Sequence, residues 1–169
     1  MNSDKFTRKS MEAIQESQRL AMEYNNQEVS SEHLLYSLLT IDDSLIKKLL
    51  ENKGIATSAL IDEALTLIEK KPHVSGSSDD IYLGNDVSRV VLTAETEAKK
   101  MKDDYISVEH LFIGLMEKGS SDVKDLLKKF KVNKNDFLKA LAEVRGNKKV
   151  ESDNPEDTYN ALEKFGYNL

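Results

Sequence analysis

The sequence predicts an all-α protein, built as a pseudo-twofold tandem repeat of two four-helix motifs. Three observations lead there. The aliphatic residues fall in spaced pairs at helical periodicity, with no sustained strand-like alternation. Only seven glycines and two prolines interrupt 169 residues, and charged residues make up 32% of them, the balance of amphipathic helices. Finally, Ser30-Ser31-Glu32-His33-Leu34-Leu35 recurs as Ser107-Val108-Glu109-His110-Leu111-Phe112, an offset of 77 positions (110 minus 33). Carried along without a gap, that offset pairs Ala21 with Ala98, Val29 with Ile106, Ile46 with Val123, Leu50 with Leu127 and Ile55 with Val132. Duplication explains these matches better than chance.

Taken in order, the periodic segments run roughly over 4–25, 31–40, 44–53 and 58–70, then 81–101, 108–117, 121–130 and 135–145. The first helix of each half carries the clearest stripe. Phe6, Ser10, Ala13, Ile14, Ser17, Ala21 and Tyr24 share one face, and their partners Leu83, Val87, Val90, Val91, Ala94, Ala98 and Met101 are all apolar. With two serines in its stripe, the first repeat is expected to bury less there. Ser30 and Ser107 suit N-caps, with Glu32 and Glu109 in the first turn favoured by the helix dipole. Gly54 and Gly146 suit helix ends, because glycine takes the left-handed cap conformation cheaply.

The chain therefore divides into a first repeat over 1–70, a connector over 71–80, a second repeat over 81–146 and a linker over 147–169. The connector carries Pro72 and Gly76 among serines and lacks helical periodicity, as a hinge between halves should. Helices this short need tertiary packing, so both halves are expected to share one bundle. In the linker, residues 147–153 are polar and expected to be mobile. Asn154 and Pro155 then start a helix whose ridge of Tyr159, Leu162 and Phe165 needs a partner domain beyond it.

Composition removes several function classes. No cysteine is present, which excludes disulfides and thiolate chemistry and is compatible with a reducing cytoplasm. The polar Met1-Asn2-Ser3-Asp4-Lys5 start lacks a signal-peptide core, and no run is long and apolar enough for a membrane span, so no membrane partner is expected. Net charge is -6 with interleaved basic residues, so the footprint of a nucleic-acid binder is missing.

At Phe6-Thr7, Gln27-Glu28-Val29-Ser30, Glu32-His33-Leu34-Leu35, Lys71-Pro72-His73-Val74-Ser75-Gly76 and Tyr105-Ile106-Ser107-Val108-Glu109-His110-Leu111 the chain resembles the double Clp N-domain repeat that fronts AAA+ protein-unfolding ATPases. Asn154-Pro155-Glu156-Asp157-Thr158-Tyr159-Asn160-Ala161-Leu162-Glu163-Lys164-Phe165-Gly166 is similar to the linker into the first ATPase module of the ClpB-type chaperones. Ser31 departs from the proline common after the cap, and the two Glu-His segments are unlike each other, which favours the ClpB branch over the ClpC branch. The resemblance implies a hexameric disaggregase that threads aggregated polypeptide with the DnaK chaperone system. No GxxxxGK[ST] motif occurs in the chain, so ATP and Mg belong to ATPase domains outside it, and the domain itself is read as a non-enzymatic, monomeric binder of unfolded or aggregated polypeptide. The rival reading is an adaptor- and substrate-docking N-domain of a protease-linked ClpC or ClpA unfoldase.

The candidate residues come from two sources. By resemblance, Thr7, Asp103 and Glu109 match polar positions used in substrate handling, although a helix start, a turn and a helix dipole account for each. By periodicity, Met11, Met22 and Leu92 lie off the buried stripe and are expected to point outward. His33 and His110 lack the spacing of a metal or catalytic motif and are read as packing residues, as His73 is read as a loop residue without a partner.

Overall fold

The structure, a computed structural model, describes residues 3–74, 81–146 and 149–150. A 3-10 turn at Ser3–Lys5 precedes α1 (Arg8–Glu23), the two-residue strand β1 (Glu28–Val29), α2 (Ser31–Thr40), α3 (Leu45–Asn52) and α4 (Thr57–Glu69). The second half repeats the order with β2 (Tyr82–Leu83), α5 (Asn85–Lys100), α6 (Val108–Lys118), α7 (Ser121–Lys129) and α8 (Lys134–Arg145). The eight helices among the described residues match the sequence-predicted segments, six of them to within a residue or so at each end.

The exceptions are the first helices of the two repeats, and both exceptions have one cause. Periodicity extends each helix back through Phe6 and Leu83, but there the backbone leaves the helix to pair with the other repeat. Phe6 bridges Ile106, with Thr7 N–H donating to the Ile106 carbonyl at 3.0 Å and Ile106 N–H to Lys5 at 2.7 Å. Leu83 pairs in parallel with Val29. The offset that carries Phe6 to Leu83 also carries Val29 to Ile106, so these two pairings are one contact and its symmetry mate. Pseudo-twofold symmetry is thereby written into backbone hydrogen bonds.

Side-chain packing follows the same axis. Along α2 every residue from Ser31 to Leu39 except Tyr36 is buried, and α6 is buried from Val108 to Leu115. These two helices form the centre, α1 and α5 cover them, and α3 crosses to pack on α8 as α4 does on α7. One continuous apolar cluster results, from Phe6 and Ile14 through Leu38 and Ile46 to Phe112 and Phe137, whose rings lie 4.9 Å apart. Gly114 lets α5 lie close on α6, since a Cβ there would sit 2.5 Å from the Val90 carbonyl oxygen.

The expectation that the first repeat buries less of its stripe is reversed. Phe6, Ser10, Ala13, Ile14, Ser17 and Ala21 are all buried, whereas Leu83, Val91 and Met101 of the second stripe are only half-buried. Both serines are satisfied by backbone carbonyls. Ser10 Oγ lies 2.9 Å from the Thr7 carbonyl oxygen and 2.8 Å from that of Ile106, and Ser17 Oγ donates to Ile14 at 2.6 Å. A buried hydroxyl with an acceptor costs little.

Candidate functional site

Each Glu-His segment builds a buried polar cluster at the start of its central helix. In both, the N-cap serine and a histidine three residues on form a capping box, with histidine where glutamate or glutamine is usual. Ser30 N–H donates to His33 Nδ1 at 2.9 Å, and His33 Nε2–H donates to Asn26 Oδ1 at 2.9 Å. Ser107 and His110 repeat this, but Nε2–H now reaches the Asp103 carboxylate at 2.7 Å. Asn26 and Asp103 are equivalent positions. Both rings are fully used as structural groups, which agrees with their reading as packing residues. Burial, reinforced by the Lys71 ammonium, lowers His33 to about 4, so it is neutral near pH 7. His73, in contrast, does have a partner, since its Nδ1 lies 2.7 Å from the Tyr24 carbonyl oxygen.

The two clusters differ in charge. In the first repeat Glu32 meets Lys71 at 2.7 Å and accepts from Ser120 Oγ at 2.8 Å, a bridge between repeats. In the second, Arg145 of α8 reaches Asp103 at 2.5 Å and lies 3.7 Å from Glu109 Oε2, a buried oxygen that makes no hydrogen bond among the described residues. Ser107 Oγ donates to the other Glu109 oxygen. Burial by itself would raise Asp103, but hydrogen bonds from His110, Arg145 and the Val150 amide more than reverse it and hold its carboxyl well below the ordinary range.

That Val150 contact bears on the linker. Val150 N–H donates to Asp103 Oδ1 at 2.9 Å, its carbonyl accepts from Asp104 N–H at 2.8 Å, and the residue is buried. Position 150 is thus clamped, within a stretch expected from composition to be mobile. The rest of the expected linker, 147–148 and 151–169, and the connector over 75–80 lie outside the described residues.

The candidate residues therefore separate into two layers. Thr7 is the buried N-cap of α1, accepting from Ser10 N–H, and Asp103 and Glu109 sit together in the Arg145 cluster. All three brace the same short stretch, for Thr7 N–H holds Ile106 while Asp103 and Glu109 flank it. Met11 is half-buried against the core, so the outward orientation expected for it is not found. Met22 is 62% exposed and Leu92 66%, and with Tyr82 they are the large apolar side chains standing in solvent among the described residues.

A second feature was not anticipated from the sequence. Between the α3–α4 turn and the α7–α8 turn lies a cleft of about 390 Å³, floored by Leu50, Ile55, Phe130, Val132, Phe137 and Ala140. Its charged lining is Lys53, Lys129 and Lys131 with the one acid Asp136. Ile55 and Val132 are equivalent positions, so the cleft straddles the pseudo-twofold axis. The offset pairing already named those two residues, and what it lacked was that their turns meet in space. Among the described residues no three His, Asp or Glu side chains group as a metal site needs, and no helix is long and apolar enough to cross a membrane.

Comparison with known proteins agrees with this architecture. The Clp repeat (R) N-terminal domain family matches residues 5–130. Over its whole length the chain is 39% identical to the chaperone protein ClpB of Bacillus cereus and 37% identical to that of Clostridium tetani. It covers 20% of each, so the chain spans about a fifth of the length of the curated relatives it matches. The crystal structure of the Hsp104 N-terminal domain from Candida albicans is similar at a TM-score of 0.78 and 20% identity, covering 88% of this chain and 96% of that one. The N-terminal domain of the ClpV1 ATPase from E. coli gives 0.72 at 17% identity, covering 90% and 91%. Identities this low speak to the fold, which both share. With its doubled helical repeat, its paired capping histidines and a family match over most of its length, the chain belongs to the Clp repeat N-terminal domain family.

Proposed function

We propose that this chain is the N-terminal domain of a ClpB-type protein disaggregase, binding exposed apolar segments of misfolded or aggregated protein and handing them to a hexameric ATPase ring. The observation that carries the reading is the exposure of Leu92 and Met22 on a domain that otherwise closes its core. Large apolar side chains held in water favour a binding surface when they stand on a rigid scaffold. Buried Thr7, Asp103 and Glu109 support it from within by fixing the 103–109 stretch on which α6 begins, and Met11 packs half-buried against the core. The chain contributes binding and no catalysis. ATP and Mg act in ATPase domains beyond it, the DnaK system cooperates through the whole protein, the isolated domain is monomeric, and the setting is cytoplasmic.

Magnitudes favour weak capture by each domain. Burying two or three such side chains yields about 3 to 9 kcal/mol gross, part of which is spent ordering an unfolded segment. One domain then binds in the roughly micromolar to millimolar range, and several copies on one ring supply avidity. The rival, an adaptor-docking N-domain of a protease-linked ClpC or ClpA protein, is not favoured, because the curated relatives covering the whole chain are ClpB proteins. Titrating the labelled chain with an unfolded apolar polypeptide should move amide resonances around Leu92, Met22 and the 103–109 stretch. Silence there at millimolar ligand overturns the proposal.

A further inference from the structure

The cleft on the pseudo-twofold axis is distant in sequence from Leu92 and Met22, and its chemistry differs from theirs. Its floor is apolar while its lip is cationic. The charged residues lining it are Lys53, Lys129 and Lys131 against the single acid Asp136, in a chain whose net charge is -6. A local concentration of one sign in a protein of the other sign marks where an oppositely charged partner is steered.

Lys131 strengthens the case. It sits at φ 62°, in the left-handed region, at the position where the first repeat has Gly54 at φ 79°. Glycine takes that conformation freely, and a lysine takes it only at a conformational cost. Lysine is thus held where the first repeat has glycine, and its ammonium stands on the lip of the cleft. Among the described residues Lys131 has no ion-pair partner, and those of Lys129 and Lys53, Glu63 at 2.5 Å and Glu143 at 3.1 Å, are exposed carboxylates. Exposed pairs are readily exchanged for a ligand's carboxylate. The Lys129 ammonium also lies 6.0 Å from the Phe130 ring centroid, so cation and aromatic wall adjoin.

We infer that this cleft is a second docking site, and that its occupant is a polypeptide segment whose aliphatic or aromatic anchor is flanked by aspartate or glutamate. The anchor fills the floor between Ile55, Phe130 and Val132, and the flanking carboxylates meet Lys129 and Lys131. This site does not depend on the Leu92 surface, so either can fail while the other stands.

Two synthetic peptides sharing a Leu-Phe-Leu centre, one flanked by aspartates and one by lysines, test it against the labelled chain by NMR. The acidic-flanked peptide is expected to move the amides of Gly54, Ile55, Lys131 and Val132, and to bind about tenfold more tightly than its lysine-flanked counterpart. Raising salt from about 50 mM to about 500 mM should erase most of that preference. Lys131→Gly keeps the left-handed turn and is expected to fold at least as stably while losing roughly threefold in affinity for the acidic peptide, and adding Lys129→Glu should abolish the preference. Equal affinity for the two peptides, shifts centred on Leu92 and Met22, or dilution-dependent shifts of the cleft amides without peptide, which signal a second copy as occupant, would each overturn the inference.

Discussion

His33 and Asp103 sit in matched clusters, yet they lose their contributions to stability at different pH. His33 is lowered to about 4 from an ordinary 6.5, so the unfolded chain takes up its proton first as pH falls. Stability therefore declines as pH drops from 6.5 towards 4 and levels off below, by up to about 3 kcal/mol for this group. Asp103 is held below its ordinary 3.8, so its contribution is intact above that value and is lost only under stronger acid. Urea midpoints at pH 7 and pH 4.5 should differ in the natural chain and converge in His33→Gln, which cannot take up that proton. Asp103→Asn copies the Asn26 of the first repeat, but it removes the carboxylate that meets the buried Arg145 guanidinium, at a cost of about 3 kcal/mol. The same substitution should speed hydrogen exchange at the Val150 and Asp104 amides, while unchanged protection would show that position 150 is held by other contacts. Little of this was legible in the sequence, where Asp103 reads as a turn residue. Its partners Arg145 and Val150 are more than forty residues away, and only the recurrence of Glu-His hinted at a paired role.

At the scale of elements, periodicity carried most of the assignment because each helix buries one stripe against the same core. It failed at Phe6 and Leu83, where burial continues the helical pattern while the backbone does not. An apolar residue at the next stripe position extends the period whatever its φ and ψ, and the strand that captures it lies in the other repeat. The serines misled for a related reason, since Ser10 and Ser17 count as polar by composition but are satisfied by backbone carbonyls within reach. The contact of α5 with α6 makes a sharper expectation. In Gly114→Ala the added methyl meets the Val90 carbonyl at 2.5 Å, and overpacking of about 1–3 kcal/mol outweighs the gain in helix propensity of about 0.5–1 kcal/mol. A thermal midpoint raised by this substitution would mean that the helices part more easily than their packing indicates.

In the whole molecule, the pseudo-twofold axis does two things. It interlocks the repeats, because backbone pairings cross between them and α3 and α4 reach over to pack on α8 and α7. It also brings the two Gly54-type turns together, creating the cleft, a meeting that no reading of a single stretch of chain could supply. The exposed Leu92 and Met22 were legible from the helical wheel, since they stand off the buried stripe. Met11 was not, because a residue at the edge of a stripe is covered or bare according to a neighbour the period does not describe. The proposed capture of unfolded chains rests on that exposed pair. The most direct test compares binding of an unfolded apolar polypeptide to the natural chain and to the Leu92→Ser, Met22→Ser double variant, both followed by fluorescence anisotropy. Affinity should fall by about tenfold or more, with the thermal midpoint unchanged because both side chains already stand in water; affinity preserved in the double variant would contradict the account.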